Sequence, residues 1–348
     1  MKKLAVSFIL LLMCSGAFAA DASHATVLNR DILLTGEGTL FSVERVELKN
    51  PDDVEALATI FLRLRVEQGD ETNTFSIPGT LTGGVPTSPA LAFDSESNTL
   101  FVFWQKQPNR LSSELLLCSF RDGEWGPVTS IDNAAFHLRF NLRIGVTKSI
   151  DYLQTKGAPI TKPGVVVHAT WWDQSAYGES ARYAMISLEN GKAQSIAVRE
   201  LIEFAGETTS QVSPDFSSEL DRNVLRHPAI LESSARDSVD VVFADAEKKQ
   251  FHRVNIRPVI KDDGRIRLPI GRHRGAFNAP KNLTLSDSIS VLPGSSPENL
   301  LFFAKTKKSL EYIVHTSEGW SNTKSFRLGE DLSVEAGIEA LRKMIASQ

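Results

Sequence analysis

Apolar residues in this chain come in short runs of roughly four to eight, rich in Val, Ile, Phe and Trp and separated by Gly, Asn, Asp and Pro. That pattern predicts strands joined by tight turns. The runs also recur in sets. "SPALAFD" (88–94) is followed by "TLFVFWQ" (99–105), "SELLLCSF" (113–120) and, past Asp122-Gly123, "WGPVTSI" (125–131). "HPAILES" (227–233) leads to "VDVVFAD", "QFHRVNI" and, after Asp263-Gly264, "RIRLPI". "SISVLPG" (288–294) leads to "NLLFFAK", "LEYIVHT" and, after Glu318-Gly319, "WSNTKSF". A looser copy runs from "LRFNLRIGV" (138–146) through "GVVVHATWWD", "ARYAMISL" and Asn190-Gly191 to "AQSIAV". The most degenerate copy is "ALATIFLRLRV" (56–66), Gly69 and "TNTFSIPG".

Each set holds about four strands, and the turn glycines Gly69, Gly123, Gly191, Gly264 and Gly319 recur about every 54 to 73 residues. Four antiparallel strands per repeat is the unit of a β-propeller blade. The prediction is an all-β protein: a β-propeller of five blades, each of four antiparallel strands, with a short C-terminal α-helix. Trp125 and Trp320 follow the turn at equivalent places and are expected to pack between neighbouring blades. The N-terminal runs "TVLNRDILLTG" and "LFSVERVEL" are expected to close the ring by completing a blade at the other terminus. A sixth, irregular blade from residues 25–50 and 133–163 is the alternative count. In "DLSVEAGIEALRKMIASQ", Val334, Ile338, Leu341 and Ile345 share one helical face, and Asp331 or Ser333 can cap its start.

The first residues change the picture of where this propeller works. Lys2 and Lys3 precede an apolar run, Leu4 to Met13, too short to span a bilayer. "SGAFAA" follows, with Ala17 and Ala19 at A-x-A spacing. Residues 1–19 therefore read as a cleaved signal peptide, 20–330 as the propeller and 331–348 as the terminal helix. Lipidation at Cys14 is disfavoured, because Leu-Leu-Met rather than a small residue precedes it. The rest of the chain holds one cysteine, Cys118, inside an apolar strand, so no internal disulfide is available. A bacterial periplasmic or secreted protein is the expectation. No second long apolar run predicts a membrane span.

A net charge of −4 over 348 residues argues against general nucleic-acid affinity. The seven histidines lie at no close ligand spacing, so no metal site is expected. No G-x-S-x-G, phosphate loop or dinucleotide fingerprint occurs, and no cofactor is expected.

Propeller ligands gather at the end where second strands finish. Candidate ligand-binding residues there are Trp104, Arg110, Trp172, Asp173, Tyr177, Asp245 and Lys305. Rings would cover the apolar face of a sugar or peptide, and the polar tips would orient it. Trp171 and Trp172, being adjacent, must face opposite ways on a strand. A basic stretch from His252 to Arg274 contains "GRHRG", expected as an exposed connection between blades. Arg272, His273 and Arg274 are its anion-binding candidates.

The turn sequence Ser119-Phe-Arg-Asp122-Gly123-Glu-Trp125 resembles the Asp box, S-x-D-x-G-x-T-W, of sialidase-like β-propellers, and Ser317-Glu318-Gly319-Trp320 resembles it in shorter form. The resemblance implies the fold, with the box at the turn between third and fourth strands, away from the ligand-binding face. None of that family's catalytic residues is carried over to this chain, which has four tyrosines, Tyr152, Tyr177, Tyr183 and Tyr312. The functional expectation is an exported binding or interaction module for a carbohydrate or a protein. A sialidase-like glycoside hydrolase and a subunit of a periplasmic assembly are the alternatives.

Overall fold

The computed structural model describes residues 25–35, 37–49, 58–81, 84–109, 112–151, 160–175, 178–189, 191–202, 229–232, 238–245, 250–260, 266–278, 290–293, 300–305, 309–316, 318–322 and 324–327. The expected signal peptide, the Asp263-Gly264 turn and the C-terminal helix lie outside them. Five antiparallel sheets, each ordered as in the sequence, form a five-bladed propeller. Blade 1 contains β1 (Ala25–Leu34), β2 (Leu40–Leu48), β3 (Thr59–Gln68) and β4 (Glu71–Ser76). Blade 2 contains β5 (Val85–Asp94), β6 (Thr99–Asn109), β7 (Ser112–Arg121), β8 (Glu124–Trp125) and β9 (Thr129–Ala135). Blade 3 contains β10 (Leu138–Asp151), β11 (Ile160–Ser175), β12 (Gly178–Glu189) and β13 (Lys192–Glu200). Blade 4 contains β14 (Ala229–Glu232), β15 (Val239–Asp245), β16 (Gln250–Ile260) and β17 (Ile266–Asn278). Blade 5 contains β18 (Ser290–Pro293), β19 (Leu300–Lys305), β20 (Ser309–Thr316), β21 (Gly319–Trp320) and β22 (Lys324–Arg327).

Blades 2 and 5 have an interrupted outer strand. Both β8 and β9 pair with β7, and both β21 and β22 pair with β20. In blade 2 the break falls at Gly126-Pro127-Val128, where Pro127 has no N–H to give to a ladder. Gly126 N still donates to Ser119 O at 2.8 Å, and Ser321 N donates to Val314 O at 2.8 Å in blade 5.

The N-terminal strands do not close the ring. β1 and β2 pair with each other, β2 pairs with β3, and the two runs make half of blade 1. Thr35 N to Thr39 O (2.9 Å) and Gly38 N to Thr35 O (3.1 Å) tie the short turn between them. A local hairpin closes a far smaller loop than pairing with the distant terminus would, so it costs less entropy.

Strand alternation puts apolar side chains on both faces of blades 2, 3 and 4, and the buried clusters are the seams between blades. Trp104, Leu116, Cys118 and Phe120 of blade 2 pack with Phe41, Val43, Leu62 and Leu64 of blade 1. Phe101, Phe103, Leu115 and Leu117, on the other face, pack with Leu142, Val167, Trp171 and Ile186 of blade 3. Trp172, Tyr183 and Met185 turn toward Val241, Phe243 and Val254 of blade 4. The two turn tryptophans seal their seams as expected. Trp125 lies 4.8 Å from Phe120, itself 4.8 Å from Phe75 of blade 1. Trp320 lies 5.0 Å from Phe302 and 5.8 Å from Phe277 of blade 4, and its Nε1 donates to Asn278 O at 2.8 Å.

One polar network lies inside the third blade. The fully buried His168 ring has Thr147 Oγ1 2.7 Å from Nε2 and Tyr183 OH 2.6 Å from Nδ1. Burial pushes its pKa down to about 3 from the ordinary 6.5, so the ring is neutral.

Two predictions follow from this architecture. Asp122 (φ 52°) and Gly123 (φ 84°) form a two-residue hairpin turn with both angles positive. A side chain at Gly123 meets nothing within 4 Å, so Gly123→Val costs backbone strain alone, about 1–2 kcal/mol. A lowered urea midpoint is expected, and an unchanged one would remove the turn assignment. For His168, the unfolded chain binds a proton below about pH 6.5 and the native one only near pH 3. Its stabilising contribution is complete above 6.5 and lost as pH falls through that window. His168→Gln should flatten the acid side of the stability profile by up to about 1.4 kcal/mol per pH unit. Parallel profiles for wild type and variant from pH 7 to 4 would contradict a buried neutral ring.

Candidate ligand-binding site

The end of the propeller where second strands finish and first strands begin brings together fewer of the candidate residues than the sequence suggests. Trp104 (0% exposed) is in the seam between blades 1 and 2, and Trp172 (5%) is in the seam between blades 3 and 4. Neither offers a ring to a ligand. Both faces of blade 3 are buried, so the opposite orientation of Trp171 and Trp172 sends one to each seam. Asp173 is buried and paired. Asp245 and Lys305 end their strands, β15 and β19, as expected. Arg110 and Tyr177 lie outside the described residues.

"GRHRG" is not a connection. Arg272, His273 and Arg274 lie inside β17, the outer strand of blade 4. Arg272 is opposite Asn255, His273 opposite Val254, and Gly275 opposite Arg253. Arg274 is the extra residue of a β-bulge there, and it is exposed.

The chemistry gathers instead at "DNAAFHLRF" (132–140), where blade 2 passes into blade 3. Only Phe136 and His137 separate β9 from β10. Crossing in two residues forces Phe136 to φ 62°, a left-handed conformation costing a non-glycine residue about 1–2 kcal/mol. It also leaves the Phe136 ring 65% exposed. His137 Nδ1 lies 2.6 Å from Asp173 Oδ1. Arg139 is directly opposite Asp173 across β10 and β11, so both side chains leave the sheet on the face turned to blade 2. Arg139 Nη2 donates to Asp132 Oδ2 at 2.5 Å. Its Nη1 donates to Asp132 O at 3.1 Å and Ser113 O at 3.2 Å, and its Nε lies 3.9 Å from Asp173 Oδ2. Beside it, Arg182 pairs with Glu200 at 2.9 Å.

Arg139 is thus a clamp between two blades. Burial pulls its pKa down, while Asp132 and Asp173 push it back up. A guanidinium stays charged under such opposing influences. Behind the cluster, Gln105 Nε2 and Ser113 Oγ are buried without a hydrogen-bond partner, and Gln105 Oε1 accepts from Thr87 Oγ1 at 3.2 Å. Gln105 and Ser113 leave blade 2 on the face of Phe103 and Leu115, toward blade 3. Buried polar atoms of this kind call for a polar guest or water. Among the described residues no group of His, Cys, Asp and Glu could hold a metal ion, and no helix is long and apolar enough to cross a membrane.

No family model matches the chain, and no curated protein does. Solved structures do. The Hadza microbial sialidase Hz136 is similar over 88% of this chain, with 12% identity and a TM-score of 0.45. This chain spans 59% of that protein, less than two thirds of its length. An intramolecular trans-sialidase from Ruminococcus gnavus matches 88% of this chain and 86% of its own, at 10% identity and a TM-score of 0.46. The SapL1 lectin, solved with α-methyl fucoside, matches 88% of this chain and 98% of its own, at 11% identity and a TM-score of 0.40. The chain is similar to them in fold. At these identities the likeness is one of fold alone.

Removing the clamp tests it. Arg139→Met leaves Asp173 buried beside His137 alone, and losing one partner of a buried ion pair costs roughly 3–5 kcal/mol. Urea unfolding of the variant should show a loss of that size. A loss under 1 kcal/mol, the range of surface pairs, would mean that Arg139 does not join the blades.

Proposed function

We propose that the protein is an exported β-propeller binding module whose ligand is a carbohydrate, held where blade 2 crosses into blade 3. The observation that carries this is Phe136. A large apolar ring is kept in water, at a cost in backbone strain, one residue from a His–Asp pair. Strain at an exposed residue persists when the surroundings enforce it, and it clusters at ligand sites. A sugar ring has an apolar C–H face and a polar rim. Phe136 suits the face, while the Asp132 carboxylate and His137 suit the rim. The export part rests on the Lys2–Ala19 pattern.

Asp132 and Asp173 give the hydrolase alternative its one supporting feature. They approach the same guanidinium, Arg139, from opposite blades. A glycosidase needs one of its two carboxyl groups to carry a proton. Asp173 is buried and held by His137 and Arg139, so only Asp132 of the pair is open to a ligand, which is why binding is preferred to turnover.

A glycan-array screen of residues 20–348, run beside a panel of fluorogenic glycosides, tests the proposal. Binding without turnover is expected, and Phe136→Ala should weaken it at least tenfold with the urea midpoint maintained or raised. Binding that survives the substitution would move the site elsewhere. Turnover would make the carboxylate pair catalytic.

A further inference from the structure

The side chains around Phe136 differ sharply in what they leave within reach. Asp132 is 31% exposed and His137 26%, while the Arg139 side chain is 0% and Asp173 6% exposed. Both terminal nitrogens of Arg139 are already committed to blade 2, to Asp132 and the Ser113 carbonyl. The Nε–H is left without a hydrogen-bond partner, but the side chain has no exposed surface, so no edge of the guanidinium is open to an incoming carboxylate, sulfate or phosphate. Asp132 and Asp173 set two carboxylates against the one guanidinium of Arg139. The neighbouring Arg182 is cancelled by Glu200. A ligand seated on Phe136 meets a carboxylate at the surface and finds the positive charge sealed beneath it.

We infer that this patch accepts neutral or amine-bearing sugars and rejects acidic ones, because it exposes Asp132 and buries Arg139. The inference rests on the carbohydrate-binding reading above and adds the charge class of the ligand. An acidic sugar would place a second anion beside Asp132 and would have to shed its water with no free cation in exchange. A neutral hydroxyl can donate to the same oxygen. An ammonium can do so with charge assistance, which makes its hydrogen bond shorter and stronger. The buried, unpartnered Ser113 Oγ and Gln105 Nε2 add polar sites without adding charge.

The test is a matched series of immobilised glycans that differ only in the terminal sugar: glucose, glucosamine or glucuronic acid. The whole protein is bound at low and at moderate salt. Glucose- and glucosamine-ended glycans should be retained, and the glucuronic acid series should bind at least tenfold more weakly. Lowering the salt should strengthen the glucosamine series alone. Asp132→Asn keeps a hydrogen-bond acceptor for Arg139 and removes the exposed charge. It should erase the salt effect and narrow the gap to glucuronic acid. Equal or tighter binding of the acidic series by wild type would overturn the charge assignment and leave carbohydrate binding standing. A wild-type gap unchanged in Asp132→Asn would also overturn it. Retention of none of the three series would overturn both.

Discussion

Blades 2, 3 and 4 are buried on both faces, and the rest of the structure depends on that constraint. A sheet with one wet face alternates apolar and polar residues. Here consecutive residues such as Phe101, Val102, Phe103 and Trp104 are all apolar, because odd positions fill one seam and even positions the next. No blade has a core of its own. Stability therefore belongs to pairs of neighbours, as in other repeat architectures. The short aromatic turns serve the same end: Trp125 and Trp320 each reach back to the preceding blade.

The same constraint decides how much the sequence discloses. Strand positions, blade number and the Asp122-Gly123 turn are local matters, and period-two runs and turn residues specify them. The pairing of β1 with β2 is also local, but the degenerate second half of blade 1 obscured it. Strand-end tryptophans are ambiguous in a propeller: Trp104 and Trp172 have the composition of a sugar platform and the position of a seam. The cluster at 132–139 depends on contact between two blades, and no spacing along the chain announces that Arg139 will meet Asp132 and Asp173. A signal did exist. Phe136-His137 is the entire link between two long strands, and so short a link has to expose what it carries.

Polar groups within the seams follow a common rule, though they do different work. His168 is held neutral between two hydroxyl groups, and its burial costs no charge. Arg139 keeps its charge and is matched by two carboxylates and two carbonyls. In blade 4, Asp240 accepts from Asn255 at 2.9 Å and from Arg253 at 2.8 Å. Breaking any of these leaves an unmatched group in a dry place; of the three, Arg139 alone ties one blade to another, and its contacts set the angle between blades 2 and 3. The Phe136 patch inherits its geometry from that angle, since its groups come from both sides of a seam.

The interrupted outer strands carry one more consequence. A propeller buries its inner strands but leaves the last strand of each blade as a free edge, a template on which another chain could add a strand. In blade 2 that edge is cut by Pro127, and in blade 5 it is cut after Trp320. In blade 4 the Arg274 bulge disturbs it. Blade 1 ends in a six-residue strand whose side chains are nearly all in water. A chain with five such rims would otherwise be prone to stack rim to rim with its copies. Breaking, kinking or shortening these rims removes much of that template without a change to the core.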